Sequence, residues 1–433
     1  MTISSSLNAG VAGLNANATR LATIADNIAN SGTYGYKRAT TDFHSLVMQG
    51  GGASRYTAGG VRSTSMRLID ERGPLVATTN STDLSIDGRG FLPVTNIESV
   101  NNASGQLPLA LATTGSFRPD TSGILRTDTG HVLMGWAALP DGTIPSYARD
   151  SATGLEPVRL STNQFANNPT TLMGMAVNLP ATATAAGAPG TPLDMSAEYF
   201  GNLGTSETLS MTFAPVIPAT GQSNEWTMTI TDSVSGSVVG EYTMTFNDSQ
   251  SQGGTLASIT TISGGAYDPL TGTIPLALGG GPVSLNIGLP GQVDGMTQLS
   301  STFSPGTVSK NGSPVGNLAG VEVDSQGYLH AVYDQGFTRR LYQIPLIDVA
   351  NPNGLISMNN ESYAVSPASG GLYLWDAGDG PTGAMVGYAR EESSTDVARE
   401  LTQLIQTQRA YSSNAKIIQT VDEMLQETTN IKR

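Results

Sequence analysis

The residue types that carry chemistry in enzymes are scarce in this sequence and poorly placed. There is no cysteine, which removes thiolate catalysis, disulfides and cysteine-held metals together. The three histidines, His44, His131 and His330, are too scattered for a metal cluster, and the last two are expected on or beside strands. Asp376 and Asp379 stand among glycines but lack the ligand spacing of a calcium loop. Gly88-Arg89-Gly90 lacks the third glycine and the following helix of a dinucleotide fingerprint. Gly279-Gly280-Gly281 lacks the Lys-Ser/Thr of a phosphate loop and reads as a turn. In so Ser-rich a chain no Ser/His/Asp assignment rises above chance. What remains is carboxylate chemistry. Between Arg159 and Lys310 there is no Lys, Arg or His, and the acidic residues are Asp194, Glu198, Glu207, Glu225, Asp232, Glu241, Asp248, Asp268 and Asp294. A carboxylate-based glycosidase is the one enzymatic alternative this block leaves open. No catalytic, cofactor-binding or metal-ligating residue is assigned, and the chain is expected not to be an enzyme.

The spacing that stands out is apolar. Leu7, Leu14, Leu21 and Ile28 fall seven apart, Ile3 and Ile24 share the companion position, and Gly10 and Asn17 interrupt it. At the other end Leu404, Tyr411, Ile418 and Leu425 repeat at seven, flanked by Val397, Leu401, Ile405, Ile417 and Val421. Such a stripe belongs to a helix seeking another helix. Ser394, Thr395 or Asp396 is placed to cap the second one. The first 36 residues carry only Arg20 and Asp26 as charges, while Asn8, Asn15, Asn17, Asn27 and Asn30 supply a neutral polar face. A solvated helix usually carries more charge. A helix of about 28 residues, roughly 42 Å long, is therefore expected to be enclosed by neighbours. An ordinary antiparallel pair within one molecule is the plainer alternative. Because isolated helices draw their stability from packing, the ends are expected to order fully only on assembly.

The elements between the ends read as β. Residues 31–75 are Gly- and Ser-rich and are expected to form loops and short extended pieces. From about residue 76, strand-like runs alternate with turn signals, most clearly Thr208–Phe213, Trp226–Thr231 and Tyr242–Phe246, where apolar residues alternate with Thr or Ser. The expected fold is mainly β with α-helical termini that pair as a coiled-coil-like core, the β domains being inserted between them. The expected domains are 1–30 with 393–433 (helical core), 31–75 with 370–392 (linker), 76–145 with 301–369 (inner β) and 146–300 (inserted outer β).

The 433 residues include 51 Gly and 23 Pro, only 13% are charged, and the net charge is −14. The acidic balance opposes capture of nucleic acid or anionic lipid. No apolar run approaches the ~20 residues of a membrane helix, so membrane insertion is not expected. The N-terminus lacks the basic and apolar regions of a cleavable secretory signal.

Particular strings resemble a known family. Leu21–Asn30 (LATIADNIAN), followed by Thr33-Tyr34-Gly35-Tyr36-Lys37, is similar to the N-terminal signature of the bacterial flagellar axial rod/hook proteins. Glu400-Leu401-Thr402, Gln408-Arg409-Ala410-Tyr411, Asn414-Ala415-Lys416 and Met424-Leu425 resemble that family's closing helix. Asp83–Phe91 (DLSIDGRGF), Gly316–Val323 and Gln343–Leu355 resemble its inner β domain. The likeness covers roughly the first 140 and last 120 residues; 146–300 match by position only. The chain departs at Leu92-Pro93, where the family tends to continue a strand, and at Arg72, where a polar amide is common.

The resemblance implies a structural subunit that polymerises into a hollow, bendable tube, the flagellar hook, which joins rod to filament as a universal joint and transmits torque. The inserted domain of about 150 residues favours the hook over the shorter distal rod protein, which is the alternative within the family; a secreted β-rich adhesin or binding module is the alternative outside it. Implied partners are further copies of the chain, the distal rod protein, the hook cap, the hook–filament junction protein and the flagellar type III export apparatus, with no cofactor. The implied location is the extracellular flagellar hook, reached without a cleavable signal. Phe43 and Val47 fit the aromatic-x-x-x-apolar pattern presented to the export gate. The assembly residues expected are Ile3, Leu7, Leu14, Leu21, Ile24, Ile28, Val397, Leu401, Leu404, Tyr411, Ile418 and Leu425.

Overall fold

The computed structural model describes residues 3–46, 58–102, 107–161 and 165–431. The chain is mainly β, opened by helix α1 (Ile3–Ala29), with a short α2 (Ile97–Asn102), and closed by α3 (Val397–Ile431). It divides into two compact units. Unit 1 holds residues 1–162, 320–331 and 339–433; unit 2 holds 163–319 and 332–338.

In unit 1, α1 and α3 pack antiparallel. Proline is absent from both, and Asp396 caps α3 by accepting the N–H groups of Ala398 (3.0 Å) and Arg399 (3.2 Å) on its Oδ1. Residues following α1 form a hairpin of β1 (Ala39–Ser45) and β2 (Val61–Arg67), longer than the short extended pieces expected there. The hairpin escapes a reading by alternation because most of its side chains are exposed. One row of it lies on α1, where Thr23 Oγ1 meets Thr41 Oγ1 at 3.0 Å and Thr41 meets Ser65 Oγ at 2.9 Å.

The β body of unit 1 buries Leu84, Ile86, Leu92, Val94, Phe117, Leu125, Leu133 and Leu346 in one cluster and Phe91, Leu111, Trp136, Ile347 and Leu374 in another. The proline at position 93 does not break its strand, Leu92–Asn96. The ladder to His131–Ala137 begins only at Val94, so the N–H missing from Pro93 interrupts no bond on that side.

Unit 2 is a β sandwich-like body built on the Thr/apolar alternation. Five antiparallel strands run in order Leu193–Phe200, Ser206–Pro215, Glu225–Asp232, Val238–Phe246 and Leu256–Ser263. Their apolar rows (Tyr199, Met211, Phe213, Trp226, Met228, Tyr242 and Met244) pack with Met175, Leu179, Ile274 and Leu285 of a second sheet into one core. The opposite rows carry Thr212, Thr229 and Glu241 side by side across neighbouring strands. Asp232 is fully buried yet satisfied: it accepts from Tyr199 Oη at 2.6 Å and from the N–H groups of Val234, Ser235 and Gly279.

Candidate assembly site

The seam between α1 and α3 is built from small residues. A Cβ on Gly10 would lie 3.2 Å from Ile418 Cγ1, and one on Gly13 would lie 2.9 Å from Asn414 Nδ2. Gly10, Gly13, Ala16, Asn17, Ile24 and Asn27 are buried, while Leu7, Leu14, Leu21 and Ile28 are half-buried along one edge of that face. Gly10, which interrupts the heptad, and Gly13 one turn on are thus where α3 comes closest. Asn17 is held inside by donating to the Gly13 carbonyl at 2.8 Å. The Ile3 side chain lies outside the described residues.

On α3 the buried positions are Glu400, Thr407 and Val421, with Leu404 and Ile418 half-buried. The rest of the apolar repeat faces water: Val397, Leu401, Ile405, Tyr411 and Leu425 are 40–52% exposed, as are Ile417 and Met424. Seven large apolar side chains on one helix form more than the scattered exposure normal for a soluble surface. Each would contribute on the order of 1 kcal/mol once a neighbour covered it. The chemistry available here is association. Asp422–Asn430 are exposed without exception, so the last turns of α3 have no cover in the single chain.

The helix pair is fastened to the β body at one buried junction. Asn27 binds both the N–H and the carbonyl of Ala39 at 2.8 Å, as a paired strand residue would, and accepts the Tyr36 hydroxyl at 3.1 Å. The Tyr36 hydroxyl also donates to Asp26; burial and that carboxylate push its pKa up to about 12. Gly35 has φ +74°, and a Cβ there would meet Thr114 Cγ2 at 3.1 Å, so the exit from α1 requires glycine. Lys37 Nζ meets Glu391 Oε1 at 2.6 Å and the Glu71 carbonyl at 2.7 Å. Burial pulls the Lys37 ammonium down to about 8 against the opposing pull of Glu391. Arg72, the departure from the family pattern, donates to the Gly90 carbonyl at 2.8 Å and stands 3.6 Å from Glu391 Oε2.

The export-type residue Phe43 lies on β1, 39% exposed, with the Arg20 guanidinium 5.6 Å from its ring centre; Val47 lies outside the described residues. Asn8 and Asn15 are exposed. Two of the residues weighed for enzyme chemistry are held by structural partners. Asp376 takes Arg149 (2.6 Å) and Gln343 (2.8 Å), and His330 Nε2 lies 2.9 Å from Asp324. Among the described residues no three His, Asp or Glu side chains converge as a metal group, and no helix is long and apolar enough to cross a membrane. Sequence reasoning missed Gly13 and Glu391, and it singled out Gly10 and Lys37 without their partners. The glycines left a trace as costly residues inside a helix, and Lys37 as the end of the N-terminal signature.

Residues 7–37 match the family described as flagella basal body rod protein, and residues 386–431 match the flagellar basal body rod FlgEFG protein C-terminal family. Over its whole length the chain is similar to proteins named flagellar hook protein FlgE. It is 33% identical over 439 residues to that of Rhizobium meliloti (strain 1021) and 32% identical over 440 residues to that of Brucella suis biovar 1, covering 100% of both chains in each case. It is 28% identical over 437 residues to that of Salmonella typhimurium, covering 99% of this chain and 100% of the other.

Proposed function

The chain belongs to the flagellar hook protein family, and from that premise we propose how it acts as a structural subunit of the hook. The α1–α3 pair is the polymerising core. Copies pack laterally through the apolar side chains that α3 leaves uncovered and the half-buried leucine edge of α1, closing a tube around a neutral, Asn-lined interior. One patch repeated head to tail without ring closure gives a helical polymer. In this reading residues 1–30 with 393–433 form the core, 31–75 with 370–392 the linker, 76–145 with 301–369 the inner β domain and 146–300 the outer one. The polymer is hollow and bends as a universal joint that carries torque from rod to filament. Its partners are the distal rod protein, the hook cap, the hook–filament junction protein and the type III export apparatus, to which Phe43 and Val47 present the chain. It works outside the cell, in the flagellar hook, as a structural part without catalysis.

The observation that carries this reading is the row Val397, Leu401 and Ile405, 40–52% exposed beside a closed helix seam. Replacing Leu401 or Ile405 by Asp tests it. Polymer should vanish in negative-stain micrographs of concentrated protein, while circular dichroism of the monomer stays at wild type. Tubes of normal length from either variant would overturn the proposal.

A further inference from the structure

We infer that Arg38 is a two-position latch that sets how firmly the first turns of α3 are held to the segment leaving α1. Its guanidinium Nε lies 3.7 Å from Glu71 Oε2 and 4.0 Å from Glu400 Oε1, near both carboxylates and hydrogen-bonded to neither. The Arg38 backbone is pinned: its N–H donates to Ser394 Oγ at 3.0 Å and its carbonyl accepts the Leu68 N–H at 3.0 Å. Only the side chain is free to choose. Neither neighbouring cation can replace it, because Lys37 is engaged by Glu391 and Arg72 by Gly90 and Glu391.

The two carboxylates are unequal. Glu71 is 43% exposed and water solvates it when Arg38 leaves. Glu400 is 2% exposed, sits in the first turn of α3, and has a buried Oε2 without a hydrogen bond. An exposed pair contributes little, whereas a dry carboxylate without its cation is costly. Arg38 on Glu400 therefore locks the start of α3; Arg38 on Glu71 releases it. The link to a bending polymer rests on the hook reading, but the latch is a property of one chain and is tested without assembly.

The experiment is hydrogen exchange of the Val397–Leu404 amides in the full-length monomer, with the amides of Glu225–Asp232 as the folding control. Glu71→Gln removes the competing negative charge and should slow exchange there about threefold. Glu400→Gln should speed it about tenfold. Opposite signs are the signature, since a static charge network would loosen in both variants. Glu71→Gln faster than or equal to wild type overturns the latch, and this arm decides alone if Glu400→Gln fails to fold.

Discussion

Lys37 and Glu391, 354 positions apart in sequence, form a buried ion pair at 2.6 Å with side chains 0% and 1% exposed. This pair joins the segment leaving α1 to the strand that leads into α3. Beside it Gly73 N donates to the same Glu391 oxygen at 2.8 Å. Segments from both ends of the chain therefore meet in this dry contact.

Lys37→Met should cost about 3 kcal/mol in urea unfolding, because it leaves a buried carboxylate short of its closest cation. Adding Glu391→Met should cost less than the sum of the two single changes. A single-variant loss below about 0.5 kcal/mol would contradict the pairing.

Asn27→Ala should cost about 2 kcal/mol, since the half-buried N–H and carbonyl of Ala39 both lose their partner. Hydrogen exchange at the Ala39 amide should accelerate with it; an unchanged rate would argue against the docking of α1 on β1.

Tyr36 supplies a pH test. Its folded pKa is raised from 10.0 to about 12, so the folded state keeps a proton that the unfolded chain gives up. The stability it adds is fully present below pH 10 and is lost as pH rises through about 12. Tyr36→Phe should flatten the fall in stability across that alkaline window, measured as the change in denaturation midpoint; an equal slope in both proteins would refute the assignment.

Gly10→Leu should separate the helices, because the branched Ile418 leaves no room for a side chain. Protease cleavage within α3 should become faster while unit 2 stays resistant. Gly13→Ala should be milder, since it meets the swinging end of Asn414 and adds up to about 1 kcal/mol of helix propensity. Equal effects would be evidence against the small-residue seam.

The uncovered tail of α3 gives the assembly test. Amides of Asp422–Asn430 should exchange freely in the monomer and become protected in polymer. Protection already complete in the monomer would contradict ordering by neighbours.

The helices, the strand-rich middle and the Thr/apolar strands of unit 2 were legible because each rests on a local period. Trp226, Met228 and Ile230 declare their face by spacing alone. The seam was not legible, for a physical reason. Apolar bulk marks what a helix wants to bury, but the closest approach falls where bulk is missing, at Gly10 and Gly13. The pairing of Lys37 with Glu391 was invisible for another reason, since nothing local links charges 354 positions apart. Of the three candidate caps, Ser394, Thr395 and Asp396, only geometry distinguishes Asp396.

In unit 2 the turn after Asp232 runs through Gly236, whose φ is +63° and whose added Cβ would touch nothing within 4 Å. That corner is a docking port for engineers: an affinity tag or a small fluorescent reporter spliced between Ser235 and Gly236 has space to leave the surface. Because the fastening of both chain ends is confined to unit 1, such cargo should ride on the subunit without disturbing either terminus.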